Sequence, residues 1–316
     1  MNKAKRLCWR WGAPGLLVVS AMASGAWISE PILPIPAAAP QDPARVALGR
    51  RLFSDRRLSG NGTVSCASCH DVSKGGMDGG VRSMGSSGRL TAFNTPTVLN
   101  AALNFRQFWN GRATTLEQQV GMVVENPVEM GSRWPDVVRK VAADSDYRRA
   151  FESAYGGVTR ASIENALASY ERTLVTPDSR FDRYLKGDRD AITVEEKAGY
   201  LRFKQYGCVS CHQGVNVGGN MFQKYGVVAE PPLVKGMELG RFGITGNPRD
   251  MHVYKVPGLR NVARTAPYLH DGSAATLDQA IDAMFRFQLG RAGSVEDRKL
   301  IAAFLATLNA EPAGQP

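Results

Sequence analysis

One cysteine and histidine pattern occurs twice in this sequence and carries its clearest chemistry. The pattern is Cys-x-x-Cys-His, formed first by Cys66, Cys69 and His70 and again by Cys208, Cys211 and His212. Two thiols at this spacing can form thioethers with the vinyl groups of one porphyrin, while the next imidazole ligates the iron. A redox dithiol and half of a zinc site also use Cys-x-x-Cys, but neither explains the histidine in both copies. The sequence therefore predicts two covalently bound haem c groups, one in each half of the chain.

The N-terminal segment is typical of an exported protein. Four basic residues precede an apolar stretch from Gly12 to about Ile28, which predicts a secretory signal and a periplasmic location. The stretch is near the length that spans a bilayer, so an uncleaved N-terminal membrane anchor is the competing interpretation. Of the five cysteines, four belong to the haem motifs and Cys8 lies in the leader, so no disulfide framework is predicted.

The charge balance does not indicate a nucleic-acid partner. The formal net charge is +10, but the leader contributes four of the basic residues, and the propionates of two haems would lower the charge further. The sequence contains no dense run of lysine and arginine and no basic stripe interleaved with aromatic residues. The hydrophobic fraction of 43% is enough for ordinary hydrophobic cores.

Helical periodicity dominates the chain and strand patterning is nearly absent, which predicts an all-α fold with long glycine-rich loops. We expect a leader with a proline-rich tether over residues 1–40, a first haem domain over 41–185 and a second over 186–316. Both halves run from helix to turn to haem motif, so they form a weak internal repeat of two cytochrome c-like units. Helices are expected to begin near Asp42, Thr115, Pro135, Thr159, Thr193, Thr276 and Ser294.

Only two histidines lie outside the haem motifs, so other side chains must supply the sixth iron ligands or leave the positions open. A methionine thioether would suit an electron-transfer haem because it favours ferrous iron and raises the reduction potential. A lone methionine on an apolar helix face is more often an ordinary core residue. The methionines considered for the second haem are Met221, Met237, Met251 and Met284.

Six further stretches accompany the two haem motifs. They are Asn94-Thr95-Pro96-Thr97, Phe108-Trp109-Asn110-Gly111-Arg112, Asn126-Pro127-Val128-Glu129-Met130, Lys255-Val256-Pro257, Leu259-Arg260-Asn261 and Pro267-Tyr268-Leu269-His270-Asp271-Gly272. By these stretches and the haem motifs, the chain resembles the bacterial dihaem cytochrome c peroxidase family, which is related to the MauG-type enzymes, from about Ala44 to Leu308. In that family the N-terminal haem is peroxidatic, and the C-terminal haem, with histidine and methionine ligands, relays electrons to it. The resemblance therefore favours Met284 as the second ligand of the second haem.

The resemblance implies roles for three residues in catalysis. Glu129 matches the family's acid/base carboxylate above the peroxidatic iron, and Gln119 matches the amide beside it. Cleavage of a peroxide needs a proton moved from the near oxygen to the far one, which a carboxylate within reach can do. Trp109 matches the tryptophan that conducts electrons between the haems; without the resemblance it would be a packing residue.

The resemblance also implies a calcium ion between the two halves. Asn94, Thr265 and Pro267 match its protein ligands, which are one side-chain amide and backbone carbonyls, completed by water. Calcium prefers such hard oxygen donors, although this set could not be identified without the resemblance. His270 matches a histidine near the haem interface with a structural or electron-path role.

The loop after the first haem motif departs from the family pattern. Many members place a histidine there that blocks the peroxidatic iron until the other haem is reduced. Here residues 71–92 contain no histidine, and Ser86 falls about where it would be. We therefore expect the first haem to be five-coordinate or water-bound in the oxidised protein, with no need for reductive activation. Met77 and Met84 are the alternative ligands in this loop.

The function predicted is reduction of hydrogen peroxide to water with electrons from a small c-type cytochrome or a cupredoxin. One alternative is a MauG-like oxidase acting on a protein substrate, but such relatives replace the methionine ligand with tyrosine. The other is a dihaem electron-transfer cytochrome, which would keep both irons six-coordinate. The resemblance also implies a homodimer.

Overall fold

The computed structural model describes residues 30–232 and 239–312. The predicted signal or anchor, Cys8 and the candidate ligand Met237 lie outside the described residues. From Pro31 onward the chain forms one unit. Within the described ranges, no helix is long and apolar enough to cross a membrane.

Helices of the first half surround the first haem motif. Helix α2 is formed by the motif itself. Helix α1 precedes the motif, and α3 to α6 follow the glycine-rich loop. Their bounds are α1 Pro43–Phe53, α2 Cys66–Cys69, α3 Leu116–Glu125, α4 Trp134–Ala143, α5 Ser145–Tyr155 and α6 Arg160–Glu171.

The second half repeats this plan with short additions. A two-stranded antiparallel sheet, β1 Phe222–Lys224 and β2 Val253–Lys255, is the only sheet in the described residues. The mainly helical class is therefore confirmed. The helices are α7 Arg180–Leu185, α8 Val194–Gln205, α9 Phe242–Thr245, α10 Leu277–Ala283, which continues as a π-helical turn Met284–Gln288, and α11 Val295–Ala306.

Most predicted helix starts are confirmed because capping is a local interaction. The Thr115 hydroxyl accepts a hydrogen bond from Gln118 N at 3.1 Å and so caps α3. Thr193 and Glu196 form a capping box at α8. The Thr276 hydroxyl accepts from Gln279 N at 3.2 Å at the start of α10. These caps fix where the haem-facing helices begin.

Each half has its own hydrophobic core, built on one pair of crossing helices. Helix α1 crosses α6 in the first half, and α8 crosses α11 in the second. The crossings are very close: a Cβ on Gly49 would lie 2.0 Å from Ala166 O, and one on Gly199 would lie 1.9 Å from Leu300 O. Glycine is required at both positions because any side chain would collide with the backbone of the partner helix.

The proline-rich segment before α1 is partly built into the second core. Ile32 is fully buried among residues of that core. Gly214 N donates to Pro31 O at 2.8 Å, and Arg260 Nη2 donates to Leu33 O at 2.8 Å. The first part of the predicted tether is therefore anchored to the C-terminal half. The predicted domain boundaries themselves stay a prediction.

Thr176 joins the two halves at the point where the chain passes between them. Its hydroxyl accepts hydrogen bonds from Asn100 Nδ2 at 2.8 Å and from Asn261 Nδ2 at 2.9 Å. Its backbone N–H donates to Asn100 Oδ1 at 2.8 Å. All three residues are buried. Nearby, the fully buried ion pair of Arg260 and Asp182, 2.7 Å apart, joins α7 to the segment that follows β2.

The backbone reveals the internal repeat more clearly than the sequence does. Equivalent residues of the two halves, always separated by the same number of positions along the chain, share the same left-handed backbone conformation. The pairs are Asn100 and Asn261, with φ of 60° and 61°, Phe108 and Leu269, with 66° and 72°, and Gly111 and Gly272, with 70° and 69°. The bridges Gln107 to Ala113 and Tyr268 to Ala274 obey the same offset. In each half, two residues other than glycine adopt this sparsely populated backbone conformation, which indicates that the two halves share one backbone fold.

The two repeats meet through a reciprocal pair of backbone hydrogen bonds. Asn94 N donates to His270 O at 2.9 Å, and Lys255 N donates to Trp109 O at 2.7 Å. The offset of the repeat equates Asn94 with Lys255 and Trp109 with His270. The halves are therefore related by a local twofold at this contact.

Candidate haem sites and active site

The second haem motif opens onto a cavity of about 510 Å³. The cavity is lined by Cys208, Cys211, His212 and Met284 together, so the structure brings the predicted attachment and ligand residues to one place. Among the described residues, the rivals Met221 and Met251 do not line it. This geometry supports Met284 as the methionine that faces His212 across the haem.

Met284 also stands at a special point of the backbone. It is the first residue of the π-helical turn that continues α10. Such turns are rare and frequently mark functional sites because they shift a side chain away from its regular helical position. The turn therefore gives Met284 a position that an ordinary core methionine would not need.

The proximal histidines are in the protonation state that iron binding requires. Burial lowers the pKa of His212 to about 4, although the carbonyls of Val217 and Pro257 oppose the shift. Burial likewise lowers the pKa of His70, whose Nδ1 lies 3.1 Å from Gly76 O. A neutral ring that donates from Nδ1 presents Nε2 as a ligand. The His70 ring meets this condition, whereas His212 Nδ1 is buried without a hydrogen-bond partner among the described residues, so its fit as an axial ligand rests on its neutral state and its place in the motif.

The thiols fit haem attachment better than redox exchange. Burial raises the pKa of Cys66 to about 12 and that of Cys208 to about 11. Reactive dithiols need a lowered thiol pKa, so a thioredoxin-like role is disfavoured. In the part of the chain that the structure describes, no three His, Cys, Asp or Glu side chains form a metal-binding group, so the zinc alternative gains no support.

Glu129 lies in the turn that follows α3, beside an arginine. Arg112 Nη2 is 3.9 Å from Glu129 Oε1, and the arginine is held over the ring of Phe108, 3.4 Å from the ring centroid. Both members of the ion pair are about three-quarters buried, with side-chain exposures of 25% and 23%. The structure therefore places a cation directly beside the carboxyl group of Glu129.

Gln119 lies on α3, the helix that leads into this turn. Its Oε1 is buried and has no hydrogen-bond partner among the described residues. A buried amide oxygen without a partner is costly, so a bound group or water is expected to satisfy it.

Val123 lies one helical turn after Gln119, on the same side of α3. The repeat equates Val123 with Met284.

The glycine-rich loop after the first motif closes onto the Glu129 turn. Ser86 N donates to Glu129 O at 2.7 Å. A Cβ on Gly85 would lie 1.7 Å from Val128 O, so the loop can approach this closely only with glycine there. Met77 is buried and its sulfur accepts from Gly79 N at 3.1 Å, whereas Met84 is 56% exposed. Ser86, which the resemblance aligns approximately with the blocking histidine, therefore lies directly beside the predicted catalytic turn.

An aromatic cluster occupies the boundary between the halves. Trp109 and His270 are in contact, with ring centroids 6.4 Å apart, and Trp109 Nε1 donates to Asn94 O at 2.8 Å. Tyr254 stacks on His270 at 4.2 Å, and Tyr225 meets the same ring at 5.5 Å. Trp109, His270, Tyr254 and Tyr225 all line the second haem cavity. This arrangement suits an electron path and interdomain packing at once.

The predicted calcium ligands are all lining residues of the same cavity. Asn94, Thr265 and Pro267 all line it. Asn94 Nδ2 donates to Gly80 O at 3.0 Å and to Val81 O at 3.2 Å, which fixes the amide group. The arrangement is compatible with an oxygen-ligated ion, and the calcium site itself stays a prediction.

Comparison with known proteins identifies the family. A model of the family described as "Di-haem cytochrome c peroxidase" matches residues 43–190. The cytochrome c551 peroxidase of Nitrosomonas europaea is 45% identical over 285 residues, which cover 90% of this chain and 85% of the relative. The chain belongs to the di-haem cytochrome c peroxidase family. The predicted family and enzyme class, a cytochrome c peroxidase, are confirmed.

Two further similarities bear on length and fold. The cytochrome c peroxidase Ccp of Escherichia coli is 43% identical over 285 residues, which cover 89% of this chain and 61% of that relative. The crystal structure of a MauG-like protein associated with microbial copper homeostasis superposes with a TM-score of 0.76 at 31% identity, covering 96% of both chains. These similarities extend over both halves and support the arrangement of two c-type haem units.

Sequence reasoning missed three contributors to the site. The motif containing Lys255 was recognised, but no role was given to the lysine. Arg112 was part of a motif but was not paired with Glu129, and Thr176 was given no role. Matching the two halves at the constant offset would have equated Lys255 with Asn94. No local sequence pattern predicts the contacts of Arg112 or Thr176, because both residues contact partners that are distant in sequence.

Proposed function

We propose that this chain reduces hydrogen peroxide to water in the periplasm, at its first haem, with electrons that a small c-type cytochrome or a cupredoxin delivers to its second haem. The observation that carries the proposal is the difference between Val123 and Met284. These residues are equivalent in the repeat, yet only the second half has a thioether at this position. One site is thus equipped for electron transfer and the other for chemistry.

The residues around the first site account for the proton movements. A bound haem supplies the iron that binds the peroxide and stores oxidising equivalents. Glu129 takes a proton from the near oxygen of the peroxide and gives it to the far oxygen, so that water can leave. The Gln119 amide orients the peroxide, and Arg112 lies beside Glu129 as its ion-pair partner and helps to position the carboxylate. Hydrogen peroxide, two electrons and two protons give two waters.

We infer further that the first site needs no reductive activation. Ser86 occupies the place of the blocking histidine and is hydrogen-bonded to the Glu129 turn, while Met77 is engaged locally and Met84 is exposed. The oxidised protein is expected to show one high-spin and one low-spin haem in its electronic and electron paramagnetic resonance spectra. It should turn over peroxide with reduced cytochrome without prior reduction. Two low-spin ferric haems together with no reaction toward peroxide would contradict this proposal.

The alternatives make different demands on the same residues. An electron carrier needs both irons closed, which Val123 does not provide. A MauG-like oxidase of a protein substrate needs tyrosine where this chain has Met284. Steady-state turnover with peroxide and a reduced cytochrome separates the peroxidase from the carrier, because a carrier exchanges electrons without consuming peroxide.

Calcium binding between the halves is part of the proposal. The support is that Asn94, Thr265 and Pro267 line the same cavity as the contacting pair Trp109 and His270. One calcium per chain is expected by elemental analysis, and chelation should slow electron transfer between the haems. Full turnover in calcium-free protein would show that the ion is dispensable. A homodimer is also proposed, on the family relationship alone, and sedimentation of the purified protein would test it.

A further inference from the structure

Lys255 is a buried cation that the proposed reaction does not use. It ends β2, is only 7% exposed and lines the second haem cavity. Among the described residues, no hydrogen bond or ion pair involves its ammonium group. Its main chain is fixed from both sides, by the hydrogen bond to Trp109 O at 2.7 Å and by pairing with Phe222 in the sheet. The side chain is therefore held where its charge meets the cavity.

An ammonium group in such a place is expensive without an anion. Transfer of a charge from water into a protein interior costs free energy unless a partner or hydrogen bonds compensate for it. Burial alone lowers the pKa of Lys255 to about 8. An anion that enters the cavity with a ligand would remove this penalty. The haem expected there carries two propionate carboxylates, which are the only anionic groups that it brings.

The neighbouring residues place Lys255 at the second haem site. Pro257, two residues further along, lines the same cavity as Lys255 and the proximal ring of His212. The segment that contains Lys255 therefore forms part of the wall of the second haem site. A haem attached through the thiols of Cys208 and Cys211 would bring its propionates into this cavity on the edge away from those thiols. The repeat adds a contrast: the equivalent residue of the first half is the neutral Asn94.

We propose that the Lys255 ammonium forms an ion pair with a propionate of the second haem and raises the reduction potential of that haem. The inference deepens the proposed function, since it rests on the second haem being the electron-transfer haem. A positive charge that neutralises a propionate lowers the negative charge around the iron and so favours its ferrous state. The ion pair makes the second haem the better electron acceptor for an external donor, and the first half, with Asn94, lacks this device.

The test compares charge removal with charge retention in the full chain loaded with both haems. Lys255→Met keeps the length of the side chain and removes its charge, and Lys255→Arg keeps the charge. The midpoint potential of the low-spin haem is measured by spectroelectrochemical titration at neutral pH, in the absence of peroxide. The Met variant should shift the equilibrium with a one-electron mediator about tenfold toward the ferric state, which is about 59 mV. The Arg variant should stay near the wild-type value.

The controls separate this inference from a purely structural role. Lys224→Met removes an exposed lysine from the adjacent strand β1 and should leave the potential unchanged. An unchanged potential in Lys255→Met would overturn the inference. If Lys255→Met fails to bind the second haem, Lys255→Arg must bind it and Lys255→Gln must fail; failure of all three variants would also overturn it. Because no peroxide is used, the result does not depend on whether the protein is a peroxidase.

Discussion

Glu129→Gln is expected to lower kcat with hydrogen peroxide by about a hundredfold or more, while both haems stay attached. General acid–base catalysis by a positioned side chain contributes about 10²- to 10⁴-fold. The glutamine keeps the size of the side chain and can still donate a hydrogen bond, but it cannot carry the proton between the two oxygens. The measurement is steady-state turnover with a reduced c-type cytochrome, accompanied by a haem stain and spectra of the oxidised protein.

A matched control is available on the same stretch of chain. Glu125, the last residue of α3, is exposed and lies 3.7 Å from Arg160 on the surface. Glu125→Gln should therefore leave kcat unchanged, because exposed ion pairs contribute little. Retention of wild-type turnover by Glu129→Gln would remove Glu129 from the acid/base role. The haem-site geometry around His70 would not be affected by that outcome.

Val123→Met is expected to close the first iron and convert the chain into an electron carrier. The repeat equates Val123 with Met284, and Val123 lies one turn after Gln119 on α3, so a thioether there should reach the distal side of the first haem. The oxidised variant should show two low-spin haems, and turnover of peroxide should fall at least tenfold. Electronic spectra and steady-state kinetics are the measurements.

Val123→Leu is the control for this variant. Val123 packs against the first core, so both substitutions overpack it at a cost of about 1–3 kcal/mol. Only the methionine brings a ligand for iron. A high-spin first haem in Val123→Met, or equal losses in the two variants, would show that this face of α3 does not reach the iron. The proposed difference in iron ligation between the two halves would then have to be explained by other residues.

Local chemistry explains why much of the fold could be predicted. The Thr115 and Thr276 caps depend on contacts within four residues, so their patterns are visible in the sequence. The haem motifs are also local, since five consecutive residues supply two thioethers and a ligand. Met284 was preferred over the other methionines only through the family resemblance, because nothing near it in sequence distinguishes it from a core methionine.

Long-range contacts explain what could not be predicted. Thr176 joins Asn100 and Asn261, which are distant from it in sequence on either side. Ile32 belongs to the second core although it precedes the first haem motif, because the chain folds back across the molecule. Such placements follow from the tertiary arrangement and leave no periodic signal. The repeat, in contrast, can be recognised in the sequence, because the same number of positions separates equivalent residues throughout the stretch from Asn94 to Val123.

The reciprocal hydrogen bonds between the halves bear on how the protein could be divided. Each half contributes one donor and one acceptor to the other, through Asn94 with His270 and Lys255 with Trp109. The wall of the second haem cavity also includes Asn94 and Trp109 from the first half. A fragment that ended near residue 185 would lose its partners and leave the other fragment with an incomplete haem pocket. The two cytochrome units are thus interdependent parts of a single folding and maturation unit, not two separable electron carriers joined by a linker.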